Sequence, residues 1–228
     1  MGQDRVEAVE RALTILDAFA ADKSELTLAE LAAATGFYKS TILRLSGSLE
    51  RFGYLIREPS GAFRLGPSLW RLGSVYRHGF NLGDAIRPEL HRLVEATRET
   101  ASFYVRDNKT RVCLFRHNSP QPARHHLDEG SRLPMDAGAS AHVLAAYSGA
   151  TGNKAKSVRA QGYCVSLGER DPDVAAVAVP IFDSGAHFHG ALAISGLISR
   201  FDKAARGAAL AELKASAQRL AAVLPAGN

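Results

Sequence analysis

The stretch LTLAELAAATGFYKSTILRLSGSLERFGYLIREPSGAFRL, residues 26–65, carries three signals in close succession. Thr27 stands before an apolar run and Glu30 follows three residues later, the T-x-x-E spacing in which each side chain satisfies an orphan amide of the other. The short helix this starts, with Leu28, Leu31 and Ala32 inward, stops at Gly36, a residue type that tolerates a sharp turn into a second helix. In the second helix Ile42, Leu45 and Leu49 form one apolar stripe. The opposite face shows Lys39, Ser40, Leu43, Arg44, Gly47 and Ser48, cationic, hydroxylic and short-chained, as suits a helix that enters a major groove. Tyr54–Arg57, a Glu58-Pro-Ser-Gly61 turn and Ala62–Leu65 then spell a small hairpin whose Arg57 and Arg64 suit a phosphate-gripping wing. The sequence therefore predicts a winged helix-turn-helix that binds double-stranded DNA.

Charge is distributed to match. The whole chain carries +5, yet residues 1–35 hold three basic and seven acidic residues, whereas residues 36–66 hold five basic and two acidic ones. A domain polarised in this way orients itself on a duplex. Ahead of the capping signal, Val6, Val9, Leu13, Leu16 and Phe19 recur at helical spacing and predict an amphipathic helix over 5–20.

At 228 residues and 46% hydrophobic composition, the chain has material for two folded cores. Cys113 and Cys164 make neither a zinc spacing nor a disulfide framework. There is no secretory leader or membrane-length apolar run, so the expected compartment is the cytoplasm and no membrane partner is expected. The expected domains are 1–66, the DNA-binding domain; 67–80, a linker and dimerisation helix carrying Leu69 and Trp70; and 81–228. A second copy of the chain is the favoured cover for the linker helix, because operators are commonly read by two symmetric units.

Beyond residue 81 the period changes. A helix is expected from Leu82 to about Glu99, a hairpin from Ser102–Arg106 and Arg111–Arg116, and a strand over Arg124–Leu127 followed by a loop, Gly130–Met135. A helix over Gly138–Ala146 and strands over Tyr163–Leu167, Val174–Val179 and Ala191–Ile194 precede a closing amphipathic helix from Phe201. Antiparallel strands with helices at both ends make an α+β sensor-like domain.

In this arrangement the chain resembles the IclR family of bacterial transcription regulators. The likeness runs through Glu10-Arg-Ala-Leu-Thr-Ile-Leu16, Lys39-Ser-Thr-Ile-Leu-Arg-Leu45, Gly53-Tyr54, Phe63-Arg-Leu-Gly66, Arg87-Pro88, Glu99-Thr100, Leu133-Pro-Met135, Gly162-Tyr-Cys-Val-Ser166, Val179-Pro180, Ile194-Ser-Gly196 and Ser199-Arg200. The resemblance implies a winged-helix domain, a dimerising linker helix and a GAF-like effector-binding domain. It also implies homodimers or tetramers on pseudo-palindromic operators and control, most commonly repression, by small organic acids of catabolic pathways. Carried over residue by residue, it makes Lys39, Ser40, Thr41, Leu43 and Arg44, with Arg57 and Arg64, the DNA contacts. Tyr38 stands where the family usually has proline. Between Tyr147 and Gln161 the family normally has a longer helical stretch, and residues 149–153 are left without a structural reading.

The family's pocket maps to Met135, to Ala139 and Ser140, the last two with helix-terminal amides expected to take a carboxylate without a basic side chain, and to Ser166, Ala176, Ala193 and Ser195. Relatives that bind small keto acids tend to have Asp, Cys and Ser at 166, 176 and 193. The exchanges here enlarge the pocket and make it more apolar, pointing to a bigger organic acid, aromatic ones included, with Ser195 as an auxiliary donor.

Other constellations argue less. His125-His126, His187-x-His189, His117 and His142 lack a completing Cys or Glu, so no metal is expected. Ser140 or Ser195 with His142 makes no nucleophile elbow, the cysteines sit in apolar strand contexts, and Glu169, Asp171 and Asp173 read as the solvated charges of a turn. No catalytic residues and no cofactor are expected. The alternative is a small-molecule sensor or enzyme whose winged helix mediates protein contacts.

Overall fold

Two compact units, Met1–Phe80 and Asn81–Asn228, make up the chain. The structure, a computed structural model, describes residues 5–20, 23–79 and 82–224. The expected boundary at 80/81 falls outside the described residues.

In the first unit, α1 (Glu7–Asp17) is followed by β1 (Glu25–Leu26), α2 (Leu28–Thr35) and α3 (Lys39–Arg51). The capping box at α2 is formed: the Glu30 amide donates to Thr27 Oγ1 at 3.3 Å, and the Thr27 amide donates to Glu30 Oε2 at 2.8 Å. Hydrogen bonds from Lys23 first, and then from Thr27, hold the Glu30 carboxyl at a pKa of about 2. Gly36 ends the helix in the left-handed region at φ 72°. Ile15 of α1, Leu31 of α2 and Ile42, Leu45 and Leu49 of α3 form one core.

Leu55 and Phe63 seal that core from the wing, β2 (Leu55–Arg57) and β3 (Phe63–Leu65), which pair antiparallel. The hairpin is three-stranded rather than two-stranded, because β1 pairs with the far edge of β3, Leu26 opposite Phe63. Gly66 closes it: its amide donates to Tyr54 O at 2.7 Å, and a Cβ there would stand 2.2 Å from Gly53 O. The helix α4 (Pro67–Gly79) starts at once. Pro67 is the first helical residue, where its missing N–H costs nothing.

The second unit is built on a six-stranded antiparallel sheet, order β6-β5-β4-β9-β8-β7. In chain order its elements are α5 (Leu82–Thr97), β4 (Thr100–Asp107), β5 (Thr110–His117), β6 (Arg132–Pro134), α6 (Ala139–Tyr147), α7 (Asn153–Gln161), β7 (Cys164–Leu167), β8 (Val174–Phe182), β9 (Phe188–Leu197) and α8 (Lys203–Val223).

Strand alternation gives the sheet two unlike faces. Ala175, Val177, Val179 and Ile181 of β8, with Leu192 and Ile194 of β9 and Phe103 of β4, pack under α5 and α8 as the main core. The other face carries smaller groups, Ala178, Ala191 and Ala193, with Cys113 and Cys164, beneath α6 and α7. Short side chains there let α6 approach the sheet and leave space beside its first turn.

Two sequence expectations are corrected. Residues 124–127 form no strand; the ladder instead resumes in the expected loop as β6, where Arg132 pairs with Val112 and Pro134 with Thr110. The backbone bonds Gly130 N–H to Cys113 O and Cys113 N–H to Ser131 O steer the chain onto β5 there. Residues 153–161, part of the stretch read as shortened, are the helix α7, ended by Gly162 at φ 73° and tied back by Arg159, whose Nη1 donates to Ala146 O and Ala150 O.

Candidate functional site

The start of α3 lacks the acidic residues that open α1 and α2. Tyr38 is its N-cap and makes no side-chain cap bond, and the first turn holds no acidic residue. The positive end of the helix dipole therefore faces solvent beside Lys39, an arrangement that is unfavourable until an anion arrives. Lys39, Ser40, Leu43 and Arg44 are exposed, and Thr41 is partly so. Among the described residues neither Lys39 nor Arg44 has an ion-pair partner, in contrast to Arg5 and Arg11 of the same unit, which are paired with Glu10 and Glu7. On the wing, Arg57 lies over the Phe63 ring, its Cζ 5.5 Å from the centroid. Arg64 is held by Glu58, so it must exchange that carboxylate for any phosphate.

Against the small-residue face of the second unit lies a cavity enclosing about 490 Å³ of space, its open mouth included. Of the residues expected to shape a pocket, Ala139, Ser140, Ser166, Ala176, Ala193 and Ser195 line it together, while Met135 is instead packed against the neighbouring apolar cluster. Gly138, at φ +100°, sets the entry to α6 in a conformation few residues but glycine adopt.

The helix-terminal amides are not all open. The Ala139 amide donates to Ser166 Oγ at 3.0 Å, and the Gly138 amide donates to Glu169 Oε2 at 2.9 Å. Burial disfavours the Glu169 carboxylate, but the Gly138 amide, the His142 ring 2.6 Å away and Lys154 outweigh it and keep its pKa below the usual range. The 169–173 segment is therefore not merely a solvated turn: Glu169 is bound to α6, and Arg170 and Asp171 line the cavity.

The residues that sequence reasoning missed are basic. Arg111 is 2% exposed, and burial lowers its pKa. Its Nη1 donates to Pro134 O at 2.7 Å and to Ala137 O at 2.8 Å. Arg116, also buried and lowered by burial, donates to Ser102 Oγ, Asn118 Oδ1 and His125 O. Burial, then Arg116 and Arg170, pull His125 down to a pKa of about 4, so its ring is neutral near pH 7. Among the described residues no carboxylate lies within ion-pair distance of Arg111, Arg116 or Arg170. The cavity wall thus carries two arginines, Arg111 and Arg170, against one acid, Asp171, whereas Tyr104, Leu133, Val174, Ala176 and Ala193 supply apolar surface.

The remaining candidates are spoken for. His142 bonds Glu169 rather than Ser140 or Ser195. His189 Nε2 lies 3.0 Å from the buried Asp183 Oδ2. Cys113 and Cys164 are buried free thiols, and burial raises the Cys113 pKa to about 11. No helix among the described residues is long and apolar enough to cross a membrane.

Each unit matches a profile of known proteins. The family profile of the IclR helix-turn-helix domain matches residues 8–59, and that of the bacterial transcriptional regulator IclR C-terminal matches residues 153–222. The HTH-type transcriptional regulator XynR of Escherichia coli is 28% identical over 225 residues, covering 87% of this chain and 89% of that protein. An IclR transcriptional regulator from Alicyclobacillus acidocaldarius, seen by crystallography, is 25% identical, with a TM-score of 0.79 over 95% of this chain and 98% of that one. The fold is also that of an IclR homologue from Microbacterium hydrocarbonoxydans crystallised with 4-hydroxybenzoate, at 22% identity and a TM-score of 0.71, covering 92% of this chain and 100% of that one.

Proposed function

The chain belongs to the IclR family of bacterial transcription regulators, and we propose that it is an effector-controlled repressor whose α3 reads an operator and whose second unit senses a small organic acid. It is a DNA-binding regulator and not an enzyme. The observation that carries the DNA reading is the uncapped, acid-free start of α3, with Lys39 and Arg44 exposed and without ion-pair partners. Backbone phosphate supplies the missing negative charge at such a helix end, while Ser40, Thr41 and Leu43 reach base edges, Leu43 against a thymine methyl. Arg57 and Arg64 extend the contact along the wing.

The expected assembly is a homodimer, or a pair of dimers, on a pseudo-palindrome. Val6 at the N-cap of α1, Val9 and Leu13 within it, and Leu72 and Val75 of α4 are apolar and exposed, surface that a second copy covers at little cost. The effector site is the cavity beside α6. Its apolar wall and its excess of arginine favour an organic acid larger than a keto acid, and an aromatic acid such as the 4-hydroxybenzoate of the Microbacterium homologue fits that description. Binding there shifts the population of dimer geometries and hence the half-site spacing the two α3 helices can span. The cytoplasm, where the operator lies, is the compartment this assigns.

Footprinting the full chain on the DNA upstream of its own gene, with and without pyruvate, benzoate and 4-hydroxybenzoate, tests the proposal. The expected result is protection of a pseudo-palindrome that an aromatic acid alters. A folded protein that protects nothing at low salt refutes it.

A further inference from the structure

The second unit contains two arginines that grip carboxylates, and both use the same edge. Arg200 donates Nε to Glu99 Oε1 at 2.5 Å and Nη2 to Oε2 at 2.9 Å. Arg219 donates Nε and Nη2 to the two oxygens of Glu89, at 3.0 Å and 2.7 Å for the shortest pair. This parallel, two-pronged contact is the geometry in which a guanidinium holds a carboxylate most strongly.

Arg111 is buried more deeply than either. Its Nη1 is committed to two carbonyls, Pro134 O and Ala137 O, which fix the plane of the group. Among the described residues nothing bonds the other edge: Nε is a buried donor without a partner, and no hydrogen bond is made by Nη2. Gly138 adjoins that edge without a side chain; a Cβ built there would stand 3.3 Å from Nη2. The Tyr104 ring flanks the group, with its centroid 5.8 Å from Cζ. Arg111, Gly138 and Tyr104 all line the cavity.

A buried cation without a carboxylate partner is costly, and evolution of a stable core alone favours an apolar residue there. The two α6 amides that sequence reasoning offered to a ligand include Ala139, which is bonded to Ser166, and the preceding Gly138 amide is bonded to Glu169. We propose that the Nε–Nη2 edge of Arg111 takes the carboxylate of the effector in a two-pronged contact, so that Arg111 is the residue by which this regulator selects acids over neutral compounds of the same shape. The inference rests on the cavity being the effector site. It places the ligand's carboxylate at the β5 side of α6 and its apolar body toward Val174, Ala176 and Ala193.

The test uses the full chain and the isosteric pair benzoate and benzamide, followed by calorimetry. Wild type should bind benzoate about tenfold or more tightly than benzamide, the discrimination expected of charge-assisted hydrogen bonds. Arg111→Gln should bring the two affinities close together, and Arg111→Lys, which keeps the charge but loses the fork, should fall between. Because Arg111 also ties down the 134–137 turn, a co-crystal of wild type with 4-bromobenzoate gives a second reading that needs no variant. The carboxylate within hydrogen-bond distance of Nε and Nη2, with bromine among the apolar residues, is the expected result. The ring inside the cavity with its carboxylate on the Ser140 amide or in solvent overturns the role of Arg111 and leaves the effector site standing. Benzoate that neither binds nor enters the cavity overturns both.

Discussion

Lys39 at the open start of α3 permits a quantitative test of the DNA contact. Replacing it with alanine removes one phosphate neutralisation per α3 helix, and a symmetric dimer on two half-sites loses two. Each contact releases condensed counterions and contributes about 0.9 to the slope of log affinity against log salt, so the variant should show a slope shallower by about 1.8. Over a fourfold rise in salt, from about 50 to 200 mM, the wild-type advantage should therefore shrink by about tenfold. Fluorescence anisotropy of a labelled operator across a salt series measures it, with Lys109→Ala, in the turn between β4 and β5 of the other unit, as the control. The wing sharpens the comparison. Arg64 is held by Glu58, and an exposed pair of this kind is worth only about 0–1 kcal/mol. Glu58→Ala should free Arg64, remove a negative charge from the wing and raise affinity, most of all at low salt. A Lys39→Ala slope equal to that of wild type, or a Lys109→Ala slope that changes as much, refutes the placement of α3 on phosphate.

Three further outcomes follow from the same structure. Ser46 is fully buried in α3 and its Oγ has no partner, so Ser46→Ala should raise the unfolding free energy by about 1 kcal/mol or more in a urea titration; a loss of stability would mean the hydroxyl is bonded after all. Gly47 faces open space, with nothing within 4 Å of a Cβ built on it, so Gly47→Ala should stabilise the free protein by up to about 1 kcal/mol; an accompanying drop in operator affinity would identify close approach of DNA as the reason for glycine there. His125, held near a pKa of about 4 when folded, takes up its proton more readily in the unfolded chain, so stability should decline as pH falls from the ordinary histidine value near 6.5 towards 4, by up to about 3 kcal/mol. His125→Asn should flatten that part of the pH profile, and an unchanged profile would show that the ring is protonated in the fold.

The first unit was legible because its instructions are local. Thr27 and Glu30 are three residues apart, Gly36 ends the same helix, and Ile42, Leu45 and Leu49 lie on one stripe. The missed strand, β1, is two residues long and exists only through pairing with Phe63 and Arg64, so no local pattern announces it. The expected strand at 124–127 failed for a related reason. His125 gives its carbonyl to Arg116 and its ring lies against the same guanidinium, whereas the edge strand runs through Pro134, a residue that cannot donate to a ladder and so disguises it.

The cavity shows where pattern reading stops. Ala139, Ser140, Ser166, Ala176, Ala193 and Ser195 could be placed by resemblance, and they do meet around one space. Arg111 could not, because an arginine at the start of a hairpin strand reads as a solvent-facing residue. A clue was present: Arg111 and Cys113 are two apart on one strand, so they share a face, and a cysteine in an apolar strand belongs indoors. Alternation says which residues share a face but not what covers it. The cover here is the Pro134–Gly138 turn and the first turn of α6, more than twenty positions downstream. Those carbonyls orient the guanidinium, burial lowers its pKa, and no carboxylate among the described residues lies within ion-pair distance of it. A charge buried with two of its donors idle makes no sense as an economy of folding; it does as one half of a contact whose other half is the effector's carboxylate.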